Sequence, residues 1–459
     1  MLMMPLPANR SVAGFSLFQL IAYSSLALPL ALVVFPAYAI LPGFYAQNTS
    51  IPIATIGIIL IAARAFDAIV DPLIGYWSDR TASRWGTRKP WLLAGTVVLV
   101  VSMPKLYVPG VDATAGSYLF WFLAFYLGYS LIEIPHKAWG TELASDYRQR
   151  SLIASALAFA FALGTLLFAA APFFQTGVNR GYEAATLSAI AIGFIVTLPA
   201  LCFISLWIVP IGNSRGTPSA VSILRTVQDM IRNRPLLWFV GIFVLTGLGQ
   251  GVFYGLVFLY LTAVLPFKQD FALVLLVDAV VTLVSLPLWY RLMIAMGKHQ
   301  AWGLGMVISA VALGALLVIP DKSSSLPILL FLIGLRALGS AVVYIAPNAL
   351  IGDVVDYELL KSRANRAANF HAVVSLATKG TATLGGGVGL MLVGVLGFDP
   401  KIALSAETSA AFRFVATGLP ALLLLGAAVA AWTFPLTRRH QRTVERALAR
   451  RGRDAEPHP

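Results

Sequence analysis

Apolar stretches recur along nearly the whole chain, each closed by a short polar, basic or Gly/Pro-containing connection. A membrane-spanning helix needs about 20 apolar residues. The runs predict helices over 15–41, 51–76, 91–110, 116–137, 151–175 and 186–210, then over 235–264, 270–291, 301–320, 326–349, 370–396 and 409–434. Between the two sets lies 211–234, with Gly212, Gly216 and Pro218 followed by Arg225, Arg232 and Arg234. This segment reads as a cytoplasmic linker with room for a short amphipathic helix at the membrane surface. The expected architecture is an all-α integral membrane protein of twelve transmembrane helices in two pseudo-symmetric six-helix bundles, 1–210 and 235–434, with a basic cytoplasmic tail over 435–459. The first run, Phe15 to Leu41, exceeds the about 7–15 residues of a signal-peptide core, so it reads as the first span.

Composition agrees with a membrane chain. The 459 residues are 58% hydrophobic and 12% charged, whereas soluble domains run near about 45–50% apolar and about 25% charged. The net charge of +13 could suggest nucleic acid, but no basic soluble domain exists to carry it. With both termini in the cytoplasm, only Lys105, Arg180, Lys268, Lys322 and Lys401 fall outside, against 23 Lys and Arg in inside loops and tails. That bias is the positive-inside pattern and sets the topology. The lone Cys202 excludes a disulfide framework and a cysteine-based metal site.

An internal repeat supports two halves. Asp67 precedes Gly86 by 19 residues, and Asp278 precedes Gly297 by the same 19, at an offset of 211. Pro135 to Gly140 is echoed by Pro347 to Gly352 at an offset of 212. Matching positions in two six-helix halves are the mark of a duplicated transporter.

The candidate chemistry lies in the second helix. Asp67 and Asp71 are four residues apart and share one helical face with Arg64. Ionisable groups at this depth cost at least about 2.5–3.5 kcal/mol each and persist where they face the protein interior. One basic group does not neutralise two acids, so a visiting cation is expected there, either Na⁺ on oxygen ligands or a proton on a carboxylate raised by burial and its like-charged neighbour. The plainer alternative is simple pairing with Arg64.

Glu133 closes an apolar run before Pro135 and either completes the cation site or pairs with Lys137 at i+4. Lys379, inside the eleventh run, either faces a cavity or an acid, or snorkels to the interface. Trp121, Tyr126 and Tyr129 on the fourth helix either stack on a sugar or belong to an interfacial belt. The loop holding Arg84, Arg88 and Lys89 is either purely topogenic or a cytoplasmic gate, with Asp146, Asp353, Asp356 and Glu358 as partners. Tyr23, Ser24, Ser25, Arg336 and His371 interrupt apolar runs without an assigned role.

Taken together, Arg64, Asp67, Asp71, Pro72 and Gly75, then Arg84, Trp85, Gly86, Lys89, Pro90 and Trp91, resemble the glycoside–pentoside–hexuronide:cation symporters, the melibiose-permease branch of the major facilitator superfamily. Glu133 to Pro135, Asp353 to Tyr357, and Lys379 with Gly380 agree with it. The resemblance implies the major facilitator fold and alternating access. It implies Na⁺, Li⁺ or H⁺ coupling through Asp67, Asp71 and Glu133, and a role for Lys379 in the polar core. The departures concern the sugar half. The stretch from Tyr23 to Pro29 has no acid, Lys137 stands where the family has an aromatic residue, and small apolar residues near Ala158 replace an arginine. The same branch contains lysolipid:Na⁺ symporters that share the helix-two acids and the helix-eleven lysine.

The leading expectation is a cation-coupled sugar or glycoside symporter, and the alternative is a symporter of lysolipids or other amphipaths. No cofactor is expected beyond the coupling ion. The expected partners are a small solute, a monovalent cation and the lipid bilayer, without nucleic acid, for a functional monomer in a bacterial inner membrane. A membrane enzyme is disfavoured because the loops are short and the five histidines scattered. A channel is disfavoured because nothing forms a repeated ring or filter.

Overall fold

The computed structural model describes residues 16–81, 83–110, 113–144, 147–174, 182–212, 233–362 and 367–436, with a few separate positions in the tail. Among these residues the chain is helical, without strands. Eleven helices are long and apolar enough to cross a membrane: α1 Leu17–Ala39, α2 Ile53–Arg80, α3 Lys89–Tyr107, α4 Ala115–Leu143, α5 Leu152–Phe174, α6 Ala184–Ile208, α7 Arg234–Val264, α8 Phe271–Met296, α9 Lys298–Leu316, α10 Ser323–Glu358 and, last in the chain, α12 Ala406–Trp432. Between α10 and α12 runs α11, Ala367–Val395, with the apolar segment Gly380–Val395. Contacts divide the chain into Met1–Ile51 with Ala62–Pro218, and Pro52–Ile61 with Ser219–Pro459. The expected linker and tail fall almost wholly outside the described residues.

Helix starts follow local chemistry. Ser16 and Gln19 form a reciprocal capping box at α1, and Thr114 and Ser117 do so at α4. Pro90 and Pro235 occupy first-turn positions of α3 and α7, where a missing N–H costs nothing. Large apolar side chains stay exposed on the outside, among them Phe159, Val284 and Trp207 at 72%, 71% and 76%. A water-soluble protein would cover such a belt, whereas lipid tails solvate it.

Several helices outrun their apolar stretches. The runs predict ends at 76, 137 and 291, but α2, α4 and α8 continue to Arg80, Leu143 and Met296. Hydropathy marks only the lipid-depth part of a helix: the extra residues of α2 and α4 include polar ones, and those of α8 follow the charge of Arg291. The run at 326–349 predicts one continuous helix. Instead α10 is broken: an α-helix Leu326–Ser340, a 3₁₀ turn Ala341–Tyr344, then helix again from Ala346. Two causes act there. Pro347 lacks an N–H and disfavours helical geometry in the residue before it. Gly339 lies so close to α9 that a Cβ on it would sit 2.5 Å from the Gly305 carbonyl oxygen.

Within the second unit α7 and α11 pack backbone to backbone. A Cβ on Gly251 would lie 2.1 Å from the Ala382 carbonyl oxygen, and one on Gly255 2.5 Å from the Gly386 Cα. This close seam is the use of the Gly385–Gly389 run, as small residues permit between lipid-embedded helices.

Candidate functional site

Helix α2 carries Arg64, Asp67 and Asp71 at i, i+3 and i+7, which places them along one face. Arg64 Nη1 donates to Asp67 Oδ2 at 2.8 Å. Both side chains are buried, at 8% and 3% residue exposure. Asp71 follows one turn later and is half-buried. Pro72 sits directly after it inside the helix, removing one backbone hydrogen bond beside the carboxylate.

Helix α4 supplies the facing side. Tyr126 is buried within electrostatic reach of Asp67 and Arg64, and Tyr129 within reach of Glu133 and Asp71. Tyr129 is thus near both Asp71 of α2 and Glu133 of α4. Glu133 Oε1 accepts from Lys137 Nζ at 2.7 Å, one turn along the same helix. The Lys137 side chain is 58% exposed and that of Glu133 13%. Trp121 is placed differently. It packs edge-to-face on Phe120, with centroids 4.9 Å apart. Among the described residues no three His, Cys, Asp or Glu side chains gather into a metal cage. Lys379 lies on α11, but its side chain is outside what the structure describes.

The clasp between α1 and α4 went unread in the sequence. Tyr23 Oη donates to the His136 carbonyl at 2.8 Å, and His136 Nε2 contacts the Tyr23 carbonyl at 3.0 Å. Pro135 stands next to this exchange inside the continuous helix.

At the polar ends the basic loop is tied down within its own unit. Gly86, at φ 91°, turns the chain so that Arg88 is buried between three partners. It pairs with Asp79 and with Glu142, each at 2.6 Å, and donates to Ser78 Oγ at 2.9 Å. Lys89 Nζ donates to the Leu206 and Val209 carbonyls, both at 2.7 Å, where a cation suits the C-terminal end of α6. Arg84 is exposed, its guanidinium 5.4 Å from the Trp85 ring. In the second unit Lys298 Nζ meets Asp353 Oδ1 at 2.6 Å, and Gln441 donates to the same oxygen. Asn233 Nδ2 meets Glu358 Oε2 at 2.7 Å. Asp356 is half-buried beside them in sequence, and Asp146 lies outside the described residues. Arg88→Lys keeps the charge but loses the fork that holds two acids. It is expected to lower stability by about 1.5–3 kcal/mol, read as an earlier thermal transition of the purified protein.

Similarity to known proteins agrees with this architecture. Residues 20–438 match the MFS/sugar transport protein family. The chain is 24% identical to the glucuronide carrier protein homolog of Escherichia coli, over 86% of this chain and 87% of that one. It is 23% identical to sodium-dependent lysophosphatidylcholine symporter 1 of Xenopus tropicalis, over 88% and 86%. In structure it is similar to a D-xylose–proton symporter, with a TM-score of 0.59 and 17% identity, covering 91% of this chain and 96% of that one. With a family match across nearly its whole length, apolar spans throughout and the helix-two acids in place, the chain belongs to the MFS/sugar transport protein family, as a multi-pass membrane transporter and not an enzyme.

Proposed function

We propose that the chain is a cation-coupled symporter of the sugar or glycoside type, working by alternating access, with Na⁺ or H⁺ as the coupling ion at Asp67 and Asp71 and Glu133 nearby. The observation that carries this is a cluster of acids in the first unit. Asp67 and Asp71 lie on α2, and Tyr129 of α4 is within electrostatic reach of both Asp71 and Glu133. Gathering carboxylates at membrane depth is costly. It fits a site that a small cation visits, and the ion lowers the cost of the state it occupies. Tyr126 and Tyr129 then serve as polar walls of that site, and Arg64 fixes the orientation of Asp67.

The cytoplasmic ion pairs complete the reading. Arg88 with Asp79 and Glu142 stiffens its end of the first unit, with Arg84 and Lys89 nearby in sequence, and Lys298 with Asp353 stiffens its end of the second, with Asp356 nearby in sequence. Such contacts bias two states that differ by a few kcal/mol. The protein works as a monomer in a bacterial inner membrane, both termini in the cytoplasm.

The second reading is a lysolipid or other amphipathic solute. It is favoured by the exposed Lys137 beside the acids and by the similarity to the lysophosphatidylcholine symporter. Proteoliposome uptake separates the two. Glycosides and lysophosphatidylcholine are offered under an inward Na⁺ gradient, an inward proton gradient, or neither. Gradient-dependent accumulation of a glycoside is expected. Accumulation independent of every ion gradient would overturn coupling, and uptake of the lysolipid alone would favour the second reading.

A further inference from the structure

The second unit holds a buried polar cluster that the cation site does not use. Arg336 on α10 is 2% exposed. Its Nη2 donates to Asp278 Oδ1 of α8, and to the Tyr254 hydroxyl of α7 at 3.0 Å. Tyr254 in turn donates to Asp278 Oδ2 at 3.0 Å, closing a triangle across three helices. The guanidinium lies over the rings of Phe253 and Tyr254, 4.6 and 4.9 Å from their centroids. Among the described residues its buried Nε–H has no hydrogen-bond partner. Beyond the triangle stands Tyr344, in the 3₁₀ break of α10, within electrostatic reach of both Asp278 and Arg336 and 62% exposed.

A buried guanidinium donor left unused is unusual, and a bound hydrogen-bond acceptor would satisfy it. The cluster offers that donor beside a carboxylate whose two oxygens each hold one bond, with lone pairs to spare. A donor next to an acceptor is the complement of a hydroxyl group, which both gives and takes a hydrogen bond. The exposed Tyr344 ring adds a flat apolar surface of the kind that packs on the C–H face of a sugar. Charge narrows the choice. Asp278 and Arg336 already cancel, so an ionised carboxylate or phosphate would bring a charge with no counter-ion into a buried site, which is unfavourable. A zwitterionic headgroup would have to break the triangle to pair with its members. It would also find the Phe253 and Tyr254 faces, which a quaternary ammonium prefers, covered by Arg336. A hydroxyl adds to the cluster and breaks nothing.

We propose that Arg336, Asp278, Tyr254 and Tyr344 form the polar half of the solute site, selecting an uncharged polyhydroxylated solute, a sugar or glycoside. The proposal rests on the reading of the chain as a solute symporter. It also places sugar recognition in the second unit, where the first-helix stretch from Tyr23 to Pro29 offers no acid.

The test is ligand-induced thermal stabilisation of the purified full-length protein in lipid nanodiscs. The probes are pentoses, hexoses and their 4-nitrophenyl glycosides, with glucuronate and lysophosphatidylcholine as charged comparisons. A neutral sugar or glycoside is expected to stabilise the wild type. Its affinity is expected to fall at least about tenfold in Tyr344→Ala and in the charge-balanced double variant Asp278→Asn with Arg336→Gln. The double variant keeps the site neutral, and Tyr344→Ala removes an exposed ring, so both are expected to fold; ligand-free melting checks this. No response of the wild type to any neutral probe overturns the proposal. So does an unchanged affinity in both variants, or a response to glucuronate or lysophosphatidylcholine alone. Sodium is titrated in the same samples. Absence of a sodium response with the sugar response intact removes Na⁺ as the ion on α2 and leaves this site standing.

Discussion

Asp71→Asn is expected to abolish gradient-driven accumulation of solute while the protein still inserts and melts near the wild-type temperature. Asparagine has nearly the volume of aspartate, so packing beside Pro72 is kept. What disappears is the charge that a visiting cation would meet. Coupling requires that ion and solute stabilise the same state, and an ion with no differential affinity shifts nothing. Facilitated exchange down a solute gradient should survive, which separates lost coupling from lost folding. Asp67→Asn is expected to lose accumulation too, but with a structural cost. Arg64 donates to Asp67 at 2.8 Å, and both are buried. Neutralising one member strands the other, typically at about 3–5 kcal/mol. Wild-type accumulation in both variants, measured with labelled solute in energised vesicles, would remove the cation site from α2.

The second large effect concerns packing. Gly251→Val should lower stability by about 3 kcal/mol or more and sharply reduce the folded yield. Overpacking a tight interior ordinarily costs about 1–3 kcal/mol. Here even the first added carbon falls 2.1 Å from the Ala382 carbonyl oxygen and 2.8 Å from its Cα. Both are backbone atoms and cannot turn aside like the end of a flexible side chain. Gly241 is the control, because a Cβ there meets nothing within 4 Å. Thermal unfolding in detergent compares the two, and equal stability of Gly251→Val and Gly241→Val would show that α7 and α11 are not held at this distance.

How far these features could be read in the sequence depended on distance along the chain. The helices were legible because the lipid interior imposes a length and a polarity on each. The pairing of Arg64 with Asp67 and of Glu133 with Lys137 was legible because helical geometry alone brings residues three and four apart together. Contacts between helices were not. Arg88 finds Glu142 across 54 residues, and Arg336 finds Asp278 across 58. In sequence Arg336 was a bare interruption and Asp278 only a repeat marker. Their opposite signs, each set in an apolar run, were the available clue to a pair. The break in α10 was foreshadowed by Pro347, but its cause is shared with Gly305, which lies on another helix.

Gly86 and Gly297 both take positive φ, 91° and 112°, and stand 211 positions apart at the entry to equivalent helices. Gly297 also has ψ 150°, a corner of backbone space that essentially only glycine enters. A bend that essentially one residue type can make tolerates substitution least, whatever happens to side chains elsewhere. A saturation scan of viable variants should accordingly show two intolerant notches at that spacing. They would mark the ancestral seam even where the two halves have lost all other likeness.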